Sequence, residues 1–453
     1  MAFRWITLAS LSAGMLTLMP APAVSQDRPA SPPLYSLQRT DGTRALGRMQ
    51  QLTADRLTFM PGDSSPGARD EWSLQLHDVI ALDRVIARAE FPDRERVATA
   101  TMKVDSIAPV KRVAPRLWLA NGDRIAVELI ELDDAQLTAR VLSISTQPTW
   151  KIPLELVRGY AEAERSVHAA DFAGQPTAGA GPNADLLSLK NGDRIAGELQ
   201  GFSGGEFTFE TNVGVIKIPL DGIEAFAMNP ELMEIPKIEG HRALTVLTDG
   251  SYLTLTDLQS ENSARGDAAG TDATNLRLSA RTSYGQAVTI PISDLKNLMF
   301  LGRYAVMLSD REAAGYEFTP FFSRTWDYQI DRNATSGPLI VAGREYIKGV
   351  GLHSQCRLTY ELDDQFTRFQ AEAGIDDAVG EKGQAWLSIL VDGEPRVERV
   401  LLQGSAGVKE IGVDRLERAR QLTIVVEFGP FGDVGDHVDL VNPMLIRQST
   451  VRR

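Results

Sequence analysis

Lys348-Gly349-Val350-Gly351-Leu352-His353-Ser354, followed by Gly374-Ile375-Asp376-Asp377 and Gly435-Asp436-His437-Val438-Asp439, sets two histidines and several carboxylates beside turn glycines. Apolar alternation surrounds these stretches. It runs through Leu358-Thr359-Tyr360-Glu361-Leu362, Phe366 to Ala373, Trp386 to Val391, Arg399 to Leu402 and Leu422 to Phe428. A period of two marks half-buried strands, and Asp392-Gly393 and Gly404 mark turns between them. Many short strands at this spacing predict a β-sandwich of jelly-roll type over residues 303–449. Turns at the ends of such strands are where a sandwich carries binding residues.

Upstream the pattern is repetitive. Leu117-Trp118-Leu119-Ala120-Asn121-Gly122-Asp123-Arg124-Ile125-Ala126 recurs as Leu187-Ser188-Leu189-Lys190-Asn191-Gly192-Asp193-Arg194-Ile195-Ala196. Weaker copies surround Asp41-Gly42 and Asp249-Gly250. Asn-Gly or Asp-Gly between alternating runs predicts a two-residue hairpin, in which both turn residues take positive φ. Each copy closes alike, with Trp72-Ser73-Leu74, Trp150-Lys151-Ile152-Pro153, Ile216-Lys217-Ile218-Pro219 and Val288-Thr289-Ile290-Pro291. Proline cannot donate to a ladder, so it marks a strand end or an edge. Four units are expected at 34–90, 112–162, 184–230 and 242–302. Their uneven spacing suits small separate β-barrels better than a solenoid. They resemble the SH3-like or Sm-like barrels of bacterial envelope proteins. The Asn-Gly-Asp-Arg motif is read as turn chemistry, since Asp249-Gly250 lacks the following Asp-Arg pair. The fold class is therefore all-β: tandem small barrel repeats, then a C-terminal sandwich.

Composition narrows the function. The 453 residues carry 47 Lys plus Arg against 60 Asp plus Glu, a formal charge of −13. Such a balance argues against nucleic-acid binding, which demands a basic face. Cys356 is the single cysteine, so no intrachain disulfide forms, and its alternating neighbours Leu358 and Tyr360 place it in the core. Arg4, the apolar run from Ile6 to Met19 and Ala21-Pro22-Ala23-Val24-Ser25 have the order of a secretory signal at 1–25. Export to the periplasm, the envelope or the medium is expected, with no transmembrane segment after cleavage.

The C-terminal part, from Tyr304 to Arg447, resembles the NPCBM family of carbohydrate-binding modules, which is related to galactose-binding-like sandwiches. The resemblance rests on Leu308-Ser309-Asp310, Gly337-Pro338-Leu339, Lys348-Gly349-Val350-Gly351-Leu352-His353, Gly374-Ile375-Asp376-Asp377, Val391-Asp392-Gly393 and Asp436-His437-Val438-Asp439, in that order. It implies sugar binding without catalysis by the module, with a galactose-type glycan as partner. Leu440 departs from the family, which usually has Trp there, and that aromatic is either a core residue or a lost sugar platform.

Sugar recognition needs planar hydrogen-bonding groups beside an aromatic face. Trp326, His353, Asp376, Asp377, Asp436 and His437 supply these types and form the candidate site, with Tyr328 and Asp439 nearby. The alternative role for each histidine is to hold a strand-end turn. No cofactor is expected. The oxygen-rich turns at Asp376-Asp377 and Asp433/Asp436/Asp439 suit calcium chemically, but no spacing matches an EF-hand loop. Two histidines are too few for a zinc set. The sequence presents neither a deep carboxylate cleft, nor a nucleophile elbow, nor a phosphate loop. Envelope proteins are the expected partners of the repeats.

Overall fold

A computed structural model describes residues 33–62, 71–85, 114–162, 184–238, 240–262, 276–302, 304–404, 406–430 and 432–447. The expected signal at 1–25 lies outside the described residues, as do residues 86–113, 163–183 and 263–275. Every regular element among the described residues is a β-strand or a short 3-10 turn. None of them is a helix long and apolar enough to cross a membrane.

The first repeat contains β1 (Leu34–Arg39), β2 (Arg44–Leu52), β3 (Arg56–Pro61), β4 (Trp72–Gln75) and β5 (Val79–Val85). The second contains β6 (Arg116–Leu119), β7 (Arg124–Leu132), β8 (Gln136–Val141), β9 (Thr149–Pro153) and β10 (Val157–Ala161). The third contains β11 (Asp185–Leu189), β12 (Arg194–Ser203), β13 (Glu206–Thr211), β14 (Gly214–Pro219) and β15 (Ile223–Ala227). The fourth contains β16 (Arg242–Leu247), β17 (Tyr252–Asn262), β18 (Leu276–Thr282), β19 (Ala287–Pro291) and β20 (Leu295–Leu301). In each, four strands form an antiparallel meander and the fifth returns beside the first. The prolines do what their chemistry requires. Pro153, Pro219 and Pro291 each end a fourth strand, and a 3-10 turn follows.

Two expectations change. The Asn-Gly turns are not two-residue hairpins. Gly122 alone takes positive φ, at 90°, and its N–H donates to the Leu119 carbonyl while Leu119 N–H donates to Asp123 O. That is a three-residue loop closed by a left-handed glycine, and the Asn121 side chain accepts from Asp123 N–H instead of occupying the left-handed region itself. Nor are the repeats separate, because their strands hydrogen-bond into one 20-stranded sheet. β5 pairs with β20 around Leu82 and Leu298, and β10 pairs with β15 around Tyr160 and Phe226. Each of these four residues lies six positions after the first residue of its 3-10 turn, so equivalent edges meet about local twofold axes. Apolar side chains from all four repeats share one core, including Phe59, Trp150, Phe207 and Leu278.

The sandwich contains β21 (Ala305–Met307), β22 (Gly315–Phe318), β23 (Gln329–Ile330), β24 (Leu339–Val341), β25 (Arg344–Tyr346), β26 (Gly349–His353) and β27 (Cys356–Glu361). It continues through β28 (Phe366–Ile375), β29 (Gln384–Val391), β30 (Glu394–Gln403), β31 (Lys409–Asp414), β32 (Gln421–Phe428) and β33 (His437–Arg447). One sheet runs β23-β26-β33-β28-β31, with β21 also on β33, and the other runs β22-β27-β32-β29-β30. β24 and β25 form a separate hairpin. The core between the sheets joins Leu352, Phe369 and Leu440 to Leu358, Leu387 and Ile424. Cys356 is buried there, and burial pushes its thiol up to about 12, so it acts as a small apolar residue. A further apolar cluster of Ala81, Leu244, Met299, Met307 and Met444 joins sandwich to repeats, flanked by Arg242–Asp310 at 2.9 Å and Arg124–Glu345 at 2.7 Å.

Candidate functional site

The two histidines stand at strand ends and face each other across a ladder. His353 ends β26, His437 begins β33, and the two are directly paired. The Lys348-to-His353 motif owes its glycines to close packing. A side chain at Gly351 would sit 2.3 Å from Arg332 O and 2.4 Å from Asn333 C, because the chain at 332–334 crosses β26 there. β23 runs antiparallel to β26, with Gln329 opposite Gly351, so the segment before it, which carries Trp326, lies at the His353 end of β26.

Three of the expected residues come together as rings. Trp326 stacks on His353 at 4.4 Å and 7°, and His437 lies 5.3 Å from each of them. Trp326 is positioned through its backbone, whose carbonyl accepts from the Tyr316 hydroxyl at 2.6 Å. Phe318 meets the His353 edge at 6.3 Å. His353 Nδ1 lies 2.6 Å from Ser354 O, and His437 Nδ1 is buried without a hydrogen-bond partner among the described residues. Burial holds both imidazoles below their ordinary range, and in His437 the neighbouring His353 adds to the effect. Both rings are therefore neutral at pH 7.

The carboxylates divide differently from expectation. Asp436 is buried, and it accepts from the Ser354 hydroxyl and from Gly429 N–H. Burial raises it to about 6 despite those donors. Asp376 is buried and committed to a turn, accepting from Asn333 Nδ2 at 3.2 Å and Ala378 N–H at 2.9 Å. Asp377 is exposed and accepts from Ala342 N–H at 2.9 Å and Gly343 N–H at 2.6 Å. Those two residues take φ of 54° and 73° in the β24–β25 turn, so Asp377 holds a strained hairpin. Asp439 is fully buried, with the Asp376 carboxyl and the Ile340 N–H beside its own carboxyl. Burial first, then the adjacent Asp376, push it up to about 10, so it carries its proton at pH 7. No group of three or more His, Cys, Asp or Glu arranged to hold a metal occurs among the described residues.

Leu440 resolves its own ambiguity. It is wholly buried, pairs with Val350 and Ala373, and belongs to the sandwich core, so position 440 is no sugar platform. Sequence reasoning missed the loop that carries Trp326. The Arg324 guanidinium lies 3.8 Å above the Trp326 ring. Phe321 and Phe322 are exposed and meet edge-on at 4.8 Å, and Phe321 also meets Phe428 at 5.4 Å. The signal available was Pro320-Phe321-Phe322-Ser323-Arg324-Thr325-Trp326, three aromatics in a stretch without strand alternation.

The NPCBM/NEW2 domain model matches residues 308–446. Similar solved structures include the CBM51 from Clostridium perfringens GH95 in complex with methyl-galactose, at 21% identity and TM-score 0.28. That match covers 31% of this chain and 99% of the other. The CBM51-2 and INT domains of Clostridium perfringens ZmpB, with GlcNAc, match at 16% identity and TM-score 0.29, covering 42% and 37% of the two chains. A Renibacterium salmoninarum protein named "Putative endo-alpha-N-acetylgalactosaminidase" is 37% identical over 76 residues, 17% of this chain and 5% of its own length. Residues 308–446 of this chain are an NPCBM/NEW2 domain.

Proposed function

We propose that this is an exported, non-catalytic carbohydrate-binding protein whose sandwich holds a glycan against Trp326, His353 and His437. The observation that carries the reading is the cluster of three rings at paired strand ends within an NPCBM/NEW2 domain. The exposed Phe321 and Phe322 of the Trp326 loop offer an apolar surface to the CH face of a sugar, and neutral imidazoles exchange hydrogen bonds with its hydroxyls. The order of the first 25 residues supports export, and the repeats serve as the carrier of the sandwich. The match to a named glycosidase spans 5% of that protein, too little to bring its activity here.

A second reading is an envelope scaffold in which the repeats bind protein partners and the sandwich has lost its sugar. Occupation of both Trp326 faces, by His353 and by Arg324, favours it. A glycan array probed with the purified chain separates the two. Binding to a defined set of glycans supports the first, whereas a folded chain that binds none overturns it.

A further inference from the structure

We propose that the ring cluster takes an acidic sugar, a uronate or a sulfated residue, whose anion is recognised by the Arg324 guanidinium; this rests on the glycan-binding reading above. His353 covers one face of Trp326 and Arg324 the other, so a sugar cannot stack on that indole in the usual way while both remain. What the stack presents to solvent is an exposed guanidinium. A stacked guanidinium spends its face on the ring and keeps its in-plane N–H donors for a second partner.

Arg324 forms no ion pair among the described residues, and its guanidinium rests on the aromatic face. Elsewhere in the sandwich Arg344 meets Asp83, Lys348 meets Asp310 and Asp331, Arg368 meets Asp414, and Arg447 meets Asp363. A cation fixed on an aromatic ring, with its donors unspent, matches a carboxylate or sulfate, which the planar fork binds through two parallel hydrogen bonds.

The neighbourhood suits the rest of such a ligand. Phe321 and Phe322 are 51% and 79% exposed and lie in the same loop, an apolar surface for the sugar's CH face. The neutral imidazoles leave Arg324 as the cation of the ring cluster. Asp433 is close enough to act on His353, which disfavours a ligand that places its anion at that end. The anion therefore belongs on the Arg324 side.

Galactose, galacturonic acid and galactose 6-sulfate differ only at the sixth carbon and make a matched set. Calorimetry on the full chain at fixed ionic strength should find at least one acidic sugar roughly 10-fold tighter than galactose, the value of one charge-assisted contact. Preference for the uronate over the sulfate, or the reverse, identifies the source of the anion. Arg324→Gln should bring the acidic-to-neutral affinity ratio close to one, and Arg324→Lys should keep only part of it, because the charge remains without the fork. Equal affinity for all three sugars overturns the inference and leaves the glycan-binding reading standing. So does a preference that survives Arg324→Gln in a folded variant. A folded chain that binds neither these sugars nor any glycan on an array overturns both.

Discussion

Asp439→Asn tests whether the buried acid beside the ring cluster is held protonated. The carboxyl is wholly buried, and the Asp376 carboxyl is its neighbour. Its pKa of about 10 in the folded chain compares with about 3.9 for an unfolded aspartate. A raised acid binds its proton in the native state where the unfolded chain has lost it. Its contribution to stability is thus fully present below about pH 4 and declines as pH rises, until the native carboxyl itself titrates. The slope is at most about 1.4 kcal/mol per pH unit, or about 4 kcal/mol between pH 5 and pH 8. The substitution keeps a neutral side chain of the same shape with a donor for Asp376, and removes the titration. Urea unfolding followed by tryptophan fluorescence at several pH values measures the difference between variant and parent. Subtraction cancels Asp123 and Asp436, which are also raised, each to about 6. The variant should gain stability relative to the parent with each unit of rising pH. A difference that stays flat from pH 5 to pH 8 refutes the assignment.

Leu440→Trp should destabilise the sandwich by about 1–3 kcal/mol through overpacking and leave glycan affinity no higher, measured by thermal melting and calorimetry. A tenfold gain in affinity in a folded variant would place position 440 at the binding surface after all. Asp377→Ala removes the acceptor of two backbone N–H groups at an exposed turn and should cost about 1–2 kcal/mol, without changing glycan affinity. Arg116 is buried and donates to Asp249 Oδ2 and Asp249 O, each at 2.9 Å, joining the second repeat to the fourth. Arg116→Ala should therefore cost about 3 kcal/mol in chemical unfolding, and a loss below half of that contradicts the role given to this contact.

The period-two alternation made the sandwich legible, because one face of each strand must be buried. β27 shows it directly, with Cys356, Leu358 and Tyr360 inward and Arg357, Thr359 and Glu361 toward solvent. Trp326, His353 and His437 were legible as chemical types, but their meeting depends on β26 pairing with β33, more than 80 residues away. The roles of Asp376 and Asp377 were not legible, since their partners at Asn333, Ala342 and Gly343 are joined to them only by folding. Alternation says which face of a strand is buried and nothing about which edge it pairs with, so the merging of the repeats into one sheet was hidden. Arg324 and Phe321 lie in a loop with no period at all. Leu440 could be placed only once its neighbours Val350 and Ala373 were known.

The Trp326–His353–His437 cluster is proposed to bind sugar. Its most direct test is calorimetric titration of the chain, and of Trp326→Ala and His437→Ala, with the strongest glycan from an array. Both variants should lose at least about 10-fold in affinity while melting within a few degrees of the parent, because these rings line a surface instead of filling the core. Undiminished binding by both variants, shown to be folded, would contradict the claim.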